Sequence, residues 1–188
     1  MKLLVDRIKD SPAEYRFEAS EAWCADARSV VPELAEPPVV ELRAHRMGSD
    51  LYLEGVVTGS LELECSRCLA RYRPPLREPF RLVLEPAGAR VPSEPEAARQ
   101  LARLGMCLGD ELEMGWYQGA EIDLGGFVRE LLALAPPVQP LCREQCRGLC
   151  PRCGVDRNTE RCACEQERPA SPFAALAALR GSDGKGGS

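Results

Sequence analysis

Six of the chain's ten cysteines crowd between Leu141 and Gln166: Cys142, Cys146, Cys150, Cys153, Cys162 and Cys164. The run Cys150-Pro151-Arg152-Cys153-Gly154 has the form of a zinc knuckle. Two thiolates separated by two residues grip one tetrahedral ion from a tight turn, and a following glycine lets the backbone fold back beneath the metal. Cys162 and Cys164, nine and eleven residues beyond Cys153, are placed to close that site. A second pair, Cys65 and Cys68, stands far upstream with no cysteine partners in its own neighbourhood. The simplest arithmetic makes two four-thiolate sites. One is Cys150, Cys153, Cys162 and Cys164; the other joins Cys65 and Cys68 to Cys142 and Cys146. A site drawn from the downstream six alone, with none at the first pair, is the alternative pairing. Four thiolates leave no coordination position for water, so one or two structural zinc ions are expected rather than a hydrolytic centre. The competing chemistry is a cytosolic thiol redox pair at Cys65 and Cys68. Such a pair opens a helix after a strand, whereas the flanks here read as strand on both sides.

Phosphate contact is the second chemistry on offer. Arg67, Arg71, Arg73, Arg77 and Arg81 stand against one acid, Glu78, over fifteen residues. Their numbers share parity, so one strand face would carry them. Guanidinium forks suit phosphate oxygens, and Tyr72 among them can stack on a base. A solvated strand face is the plainer reading of the same run. The whole chain carries a net charge of −5, so its bulk field does not draw polyanions. A thiolate-bound zinc adds negative charge to the cysteine segment, whose side chains otherwise nearly cancel. Nothing points to catalysis: the one histidine, His45, lies on a charged strand face, and no phosphate-cradling glycine loop is present.

The elements that must position these groups are legible in part. Lys2–Ile8, Tyr15–Glu18, Val40–His45, Leu51–Cys65 and Leu76–Glu85 alternate apolar and polar residues as half-buried strands do. Leu51–Cys65 carries Gly55 and Gly59 on its apolar face, which predicts a bent strand or two strands. It delivers Cys65 at its end. Gly48-Ser49-Asp50 reads as a turn. Residues 86–119 read as an irregular excursion with a short helix over Glu96–Leu104 and Cys107 as an apolar filler. Asp123–Ala135 predicts a helix with Asp123 as N-cap and an apolar stripe of Leu124, Phe127, Val128, Leu131 and Leu132. Pro136-Pro137 ends it. A second short helix is expected over Pro172–Arg180, with Phe173, Leu176 and Leu179 in register, before a polar tail.

The expected class is α+β: a small antiparallel sheet or partial barrel, one packed helix, a cysteine-rich zinc knuckle and a short terminal helix. The expected domains are 1–135, a knuckle segment 136–168, the helix 169–180 and a tail 181–188. No apolar run approaches the ~20 residues of a membrane span, and the charged start is no secretory signal. A cytoplasmic chain with reduced thiols follows, in which clustered cysteines serve metal before disulfides.

Five stretches in this order then resemble a known family: Cys-Ser-Arg-Cys-Leu at 65–69, Glu-Ile-Asp-Leu at 121–124, Pro-Leu-Cys at 140–142, Gly-Leu-Cys-Pro-Arg-Cys-Gly at 148–154, and Ser-Pro-Phe-Ala-Ala-Leu-Ala-Ala-Leu-Arg at 171–180. The chain resembles the YceD family, the bacterial large-ribosomal-RNA-subunit accumulation proteins with plastid relatives, over roughly residues 38 to 180. The resemblance implies a non-enzymatic factor for synthesis, processing or accumulation of large-subunit ribosomal RNA. It implies metal and nucleic-acid binding, with the RNA, a pre-ribosomal particle or an assembly protein as partner. No membrane and no small-molecule substrate are implied. The family's middle cysteine region varies, and Ser171 stands here where an acidic residue commonly precedes the proline. A zinc-stabilised protein-interaction module without RNA contact is the remaining alternative.

Overall fold

In a computed structural model, the described residues are 1–18, 29–88, 94–109 and 113–164. The expected terminal helix and tail, and Cys24, lie outside them. The chain divides into two compact units, Met1–Cys146 and Arg147–Ser188. Cys142 and Cys146 thus go with the first unit, and the cysteine-rich stretch is split between the two.

The first unit is built on strands β1 (Lys2–Leu4), β2 (Ala13–Phe17), β3 (Val39–Met47), β4 (Asp50–Ser60), β5 (Leu63–Glu64), β6 (Arg71–Tyr72), β7 (Pro75–Pro86), β8 (Met106–Leu108), β9 (Met114–Tyr117) and β10 (Glu121–Asp123). Among the described residues, a 3-10 turn at Val5–Arg7 follows β1, and the α-helices described along their whole length are α1 (Pro95–Leu104) and α2 (Gly125–Leu134). Six strands form one sheet in the order β2-β3-β4-β7-β9-β8; β1 pairs with β10 and β5 with β6 in separate two-stranded ribbons. The Leu51–Cys65 run is therefore two strands, β4 in the large sheet and β5 in the small ribbon. The pairing of β7 with β9 is parallel and the remaining pairings are antiparallel, so the sheet is mixed. Strands β8 and β9 occupy the stretch that reads as irregular in the sequence, and β10 follows directly on it. They are three or four residues long, too short to display a period.

Alternation sorts the sheet's two faces. Val40, Leu42 and Ala44 of β3, Leu51, Leu53 and Val57 of β4, and Leu76, Phe80, Leu82 and Leu84 of β7 are buried in one cluster. Val128 and Leu132 of α2 belong to the same cluster, with Phe127 and Leu131 partly buried against it. Phe80 meets Phe127 edge to face at 5.3 Å between ring centroids, which seats the helix on the sheet. Gly55 makes room for that ring. A Cβ there would stand 2.5 Å from the Glu41 carbonyl oxygen and 2.7 Å from Phe80 Cζ. Gly55→Ala will therefore cost about 1–3 kcal/mol in chemical denaturation, since a backbone atom on one side cannot yield. An unchanged midpoint would show that both the ring and the Glu41 carbonyl give way freely.

Helix α2 starts later than the sequence suggests. Asp123 is the last residue of β10, and Leu124 occupies the N-cap. The carboxylate still serves the helix, because Asp123 Oδ1 accepts the Gly125 amide at 2.8 Å. Strand pairing with Lys2 overrides the N-cap conformation while leaving the side chain within reach of the first turn. Helix α1 buries Leu101 against Ala87 and Cys107, so Cys107 is the apolar filler expected of it.

Candidate metal centres

Strand β5 ends on Glu64 and hands the chain to the turn Cys65-Ser66-Arg67-Cys68, which returns as β6. The turn closes on its own backbone: Leu69 donates its amide to Cys65 O at 2.9 Å, and Cys65 donates to Ala70 O at 3.0 Å. The segment after α2 is brought to it by hydrogen bonds that bridge more than seventy residues. Ser66 donates both its amide (2.8 Å) and its hydroxyl (3.1 Å) to Pro140 O. Arg67 donates Nη1 to the carbonyls of Cys146 (3.0 Å) and Glu144 (3.4 Å). Cys142 and Cys146 thereby reach Cys65 and Cys68.

The four sulfurs of Cys65, Cys68, Cys142 and Cys146 lie within 4.8 Å of one another. Cys65 and Cys146 are 3.7 Å apart, as are Cys68 and Cys142. A tetrahedron with ~2.3 Å metal–sulfur bonds has edges of about 3.8 Å, so the set fits a four-thiolate ion. The separation is far beyond the ~2.05 Å of a disulfide. Three of these cysteines are buried.

The second unit repeats the device within a shorter span. Cys150, Cys153, Cys162 and Cys164 also lie within 4.8 Å of one another, with Cys153–Cys162 at 3.7 Å and Cys150–Cys162 at 3.2 Å. Its turn carries the same two bonds, Gly154 N to Cys150 O at 2.9 Å and Cys150 N to Val155 O at 2.8 Å. The return to Cys162 is organised by Asp156 and Asn158. Asp156 Oδ1 accepts the Asn158 amide at 2.9 Å, Asp156 O accepts the amide of Glu160 at 2.9 Å, and Asn158 Oδ1 accepts the Arg147 amide at 2.8 Å. The Asp-x-Asn-Thr sequence was the available signal for this turn, since both side chains mimic backbone acceptors. This site is more open: Cys153 is exposed and Cys162 and Cys164 half-buried.

Each quartet is polarised. The Cys65 thiol is lowered to about 6, first by the backbone amide of Cys142 and then, against burial, by those of Arg67 and Cys68. Cys150 is likewise lowered to about 6, by the amides of Cys153 and Arg152. Cys142 is pushed up to about 12 by burial and then by its thiol neighbours. Cys164 is pushed up to about 12, chiefly by Cys153 and Cys162. One thiolate per site is thus prepared by amides, and a central cation supplies the charge that lets the others ionise. Both quartets can hold a metal ion.

The arginine run is dispersed by the fold. Arg67, though exposed, is engaged by the backbone carbonyls just described. Tyr72 packs partly against the core. Arg71 and Arg73 share Glu62, at 3.8 Å and 2.7 Å. Arg77 and Arg81 stand exposed on the outer side of β7, on the face opposite Leu76, Phe80 and Leu82. Across from Arg81 the outer face continues with Glu54, Arg43 and Glu14 in register. His45 stacks on Tyr52 there at 5.3 Å.

The sequence profile of one family, described as Large ribosomal RNA subunit accumulation protein YceD, matches residues 53–180 and so spans both quartets. The chain belongs to the YceD family. A curated relative, Large ribosomal RNA subunit accumulation protein YCED homolog 1, chloroplastic, of Arabidopsis thaliana, is 25% identical over 163 residues, 77% of this chain and 49% of the relative. An uncharacterized protein of Mycobacterium tuberculosis is 28% identical over 121 residues, 64% of this chain and 52% of its own. Another from Mycobacterium leprae is 28% identical over 128 residues, 67% and 52%. The chain spans about half the length of these curated relatives. No solved structure matches it. Among the described residues of this YceD-family chain, no helix is long and apolar enough to cross a membrane.

Proposed function

We propose that this YceD-family protein is a cytoplasmic, non-enzymatic factor that supports accumulation of large-subunit ribosomal RNA, holding two structural zinc ions and binding the RNA or its precursor particle. The family membership carries the reading. Two further features support its parts. Both quartets consist of four cysteines, a donor set that suits zinc and leaves no place for a substrate or water. Arg71, Arg73, Arg77 and Arg81 reach solvent along the hairpin and strand that follow the first knuckle, where phosphate oxygens would meet them.

The Cys65–Cys68 redox reading gains no support, because Cys65 is buried among three other thiols and no helix begins at the pair. The test is genetic. A strain of the source organism lacking this chain will accumulate less large-subunit than small-subunit ribosomal RNA, and a plasmid copy will restore the ratio. An unaltered ratio in the deletion strain would remove the proposal.

A further inference from the structure

Leu69 is the sole non-glycine residue with a positive φ, 59°, among the described residues. It follows Cys68 as Gly154, φ 73°, follows Cys153, and the two turns share the same pair of backbone hydrogen bonds. The knuckle demands left-handed backbone at that position. Glycine adopts it freely, whereas a leucine brings its Cβ against the next carbonyl oxygen. Packing does not compensate, because Leu69 is 56% exposed. A strained residue whose side chain is delivered to solvent points to use of that side chain.

The neighbours say what kind of use. Arg71 and Arg73 lie two and four residues on, with side chains 77% and 67% exposed, and they divide one carboxylate, Glu62, between them. The three arginines of this hairpin, Arg67, Arg71 and Arg73, exceed its two acids, Glu62 and Glu64. An apolar side chain set among arginines suits a polyanion whose bases are unstacked: the cations meet phosphates and the apolar group meets a base. In a paired duplex the base faces are stacked, and reaching one costs unstacking energy that a loop does not require.

We propose that the strained knuckle turn presents Leu69 to an unpaired base of ribosomal RNA while Arg71 and Arg73 hold the flanking phosphates. This rests on the RNA reading above and narrows it to loops or single-stranded segments.

The test uses the full zinc-loaded chain and two labelled transcripts of one large-subunit ribosomal RNA segment, a stem–loop and its fully paired form, in fluorescence anisotropy. Leu69→Gly relieves the backbone, and Leu69→Asn places a residue that tolerates the left-handed region there. Both variants keep their metal, and Leu69→Gly melts about 2–4 °C higher. Both bind the stem–loop about tenfold more weakly, having lost the burial of one apolar side chain against a base, while the weaker binding of the paired form is unchanged. Unchanged stem–loop affinity in both variants overturns the role of Leu69 and leaves the broader reading standing. Retained affinity for both transcripts with lost co-sedimentation with purified large subunits assigns the leucine to a protein and overturns it too. A wild-type chain that binds neither transcript fails the RNA reading itself.

Discussion

Replacing Cys65 and Cys68 together by serine will lower the zinc content of the purified chain from two ions to one and destabilise the first unit by about 4 kcal/mol. The size follows from the separation of the ligands. Cys65 and Cys146 are 81 residues apart and Cys68 and Cys142 are 74. An ion held by all four closes a loop of that length, and a chain-entropy argument values such a cross-link at roughly 4 kcal/mol. An ordinary domain is stable by only about 5–15 kcal/mol, so the unfolding midpoint will fall by about 10 °C. Elemental mass spectrometry counts the ions and calorimetry reads the midpoint. Cys162→Ser with Cys164→Ser will remove the other ion instead, because its ligands lie within fifteen residues of one another in the second unit. Acidification will strip both sites, since protons compete for the thiolates, and a rise in pH will not. Two zincs retained in the Cys65/Cys68 variant would show that the distant pairing holds no metal. Loss of both would show that the sites are not independent.

Charge reversal at Arg77 and Arg81 should weaken binding to a transcript of large-subunit ribosomal RNA by about 100-fold near 100 mM salt, and flatten the salt dependence by about two phosphate contacts. These two positions are chosen because the fold leaves them open. They project from the outer side of β7, alternating with buried Leu76, Phe80 and Leu82, so glutamate there disturbs no core contact. Arg67→Glu would be a poor test of the same idea. It would remove the donor to the Cys146 and Glu144 carbonyls and disturb the first metal site instead. A salt slope that is the same for wild type and the Arg77→Glu, Arg81→Glu variant would exclude phosphate contact by this strand, whatever the affinity.

Much of the site could be read before any fold was known, and the reason is chemical. Cysteine pairs at two-residue spacing state their own local geometry, because the turn that joins the thiols needs no other part of the chain. Cys150 with Cys153, and Cys65 with Cys68, were legible for that reason. The pairing of the upstream two with Cys142 and Cys146 was only the simplest arithmetic on the remaining thiols; the fold is what brings those four sulfurs within 4.8 Å of one another. Long alternating strands such as β3, β4 and β7 were legible because burial on one face imposes a period of two. Short strands such as β8 and β10 have no room for a period and draw their order from their neighbours. Asp123 shows a mixed case: its carboxylate does the expected work at 2.8 Å from Gly125 N, while pairing with Lys2 makes its backbone part of a strand.

What the order of residues determined by itself is the two Cys-x-x-Cys pairs, the main strands, the helix over α2 and the membership of the YceD family. Each rests on short-range spacing or on residue type. What only the tertiary structure decided is how the arginines are shared out. Arg67 is turned onto carbonyls more than seventy residues away, Arg71 and Arg73 are tied to Glu62, and Arg77 and Arg81 are left to solvent. A guanidinium's partner depends on which groups the fold carries to within about 3 Å of it, and no local pattern of charges contains that distance. The same holds for Leu69, an ordinary letter in the sequence that becomes an outlier because closure of the knuckle imposes its backbone angle.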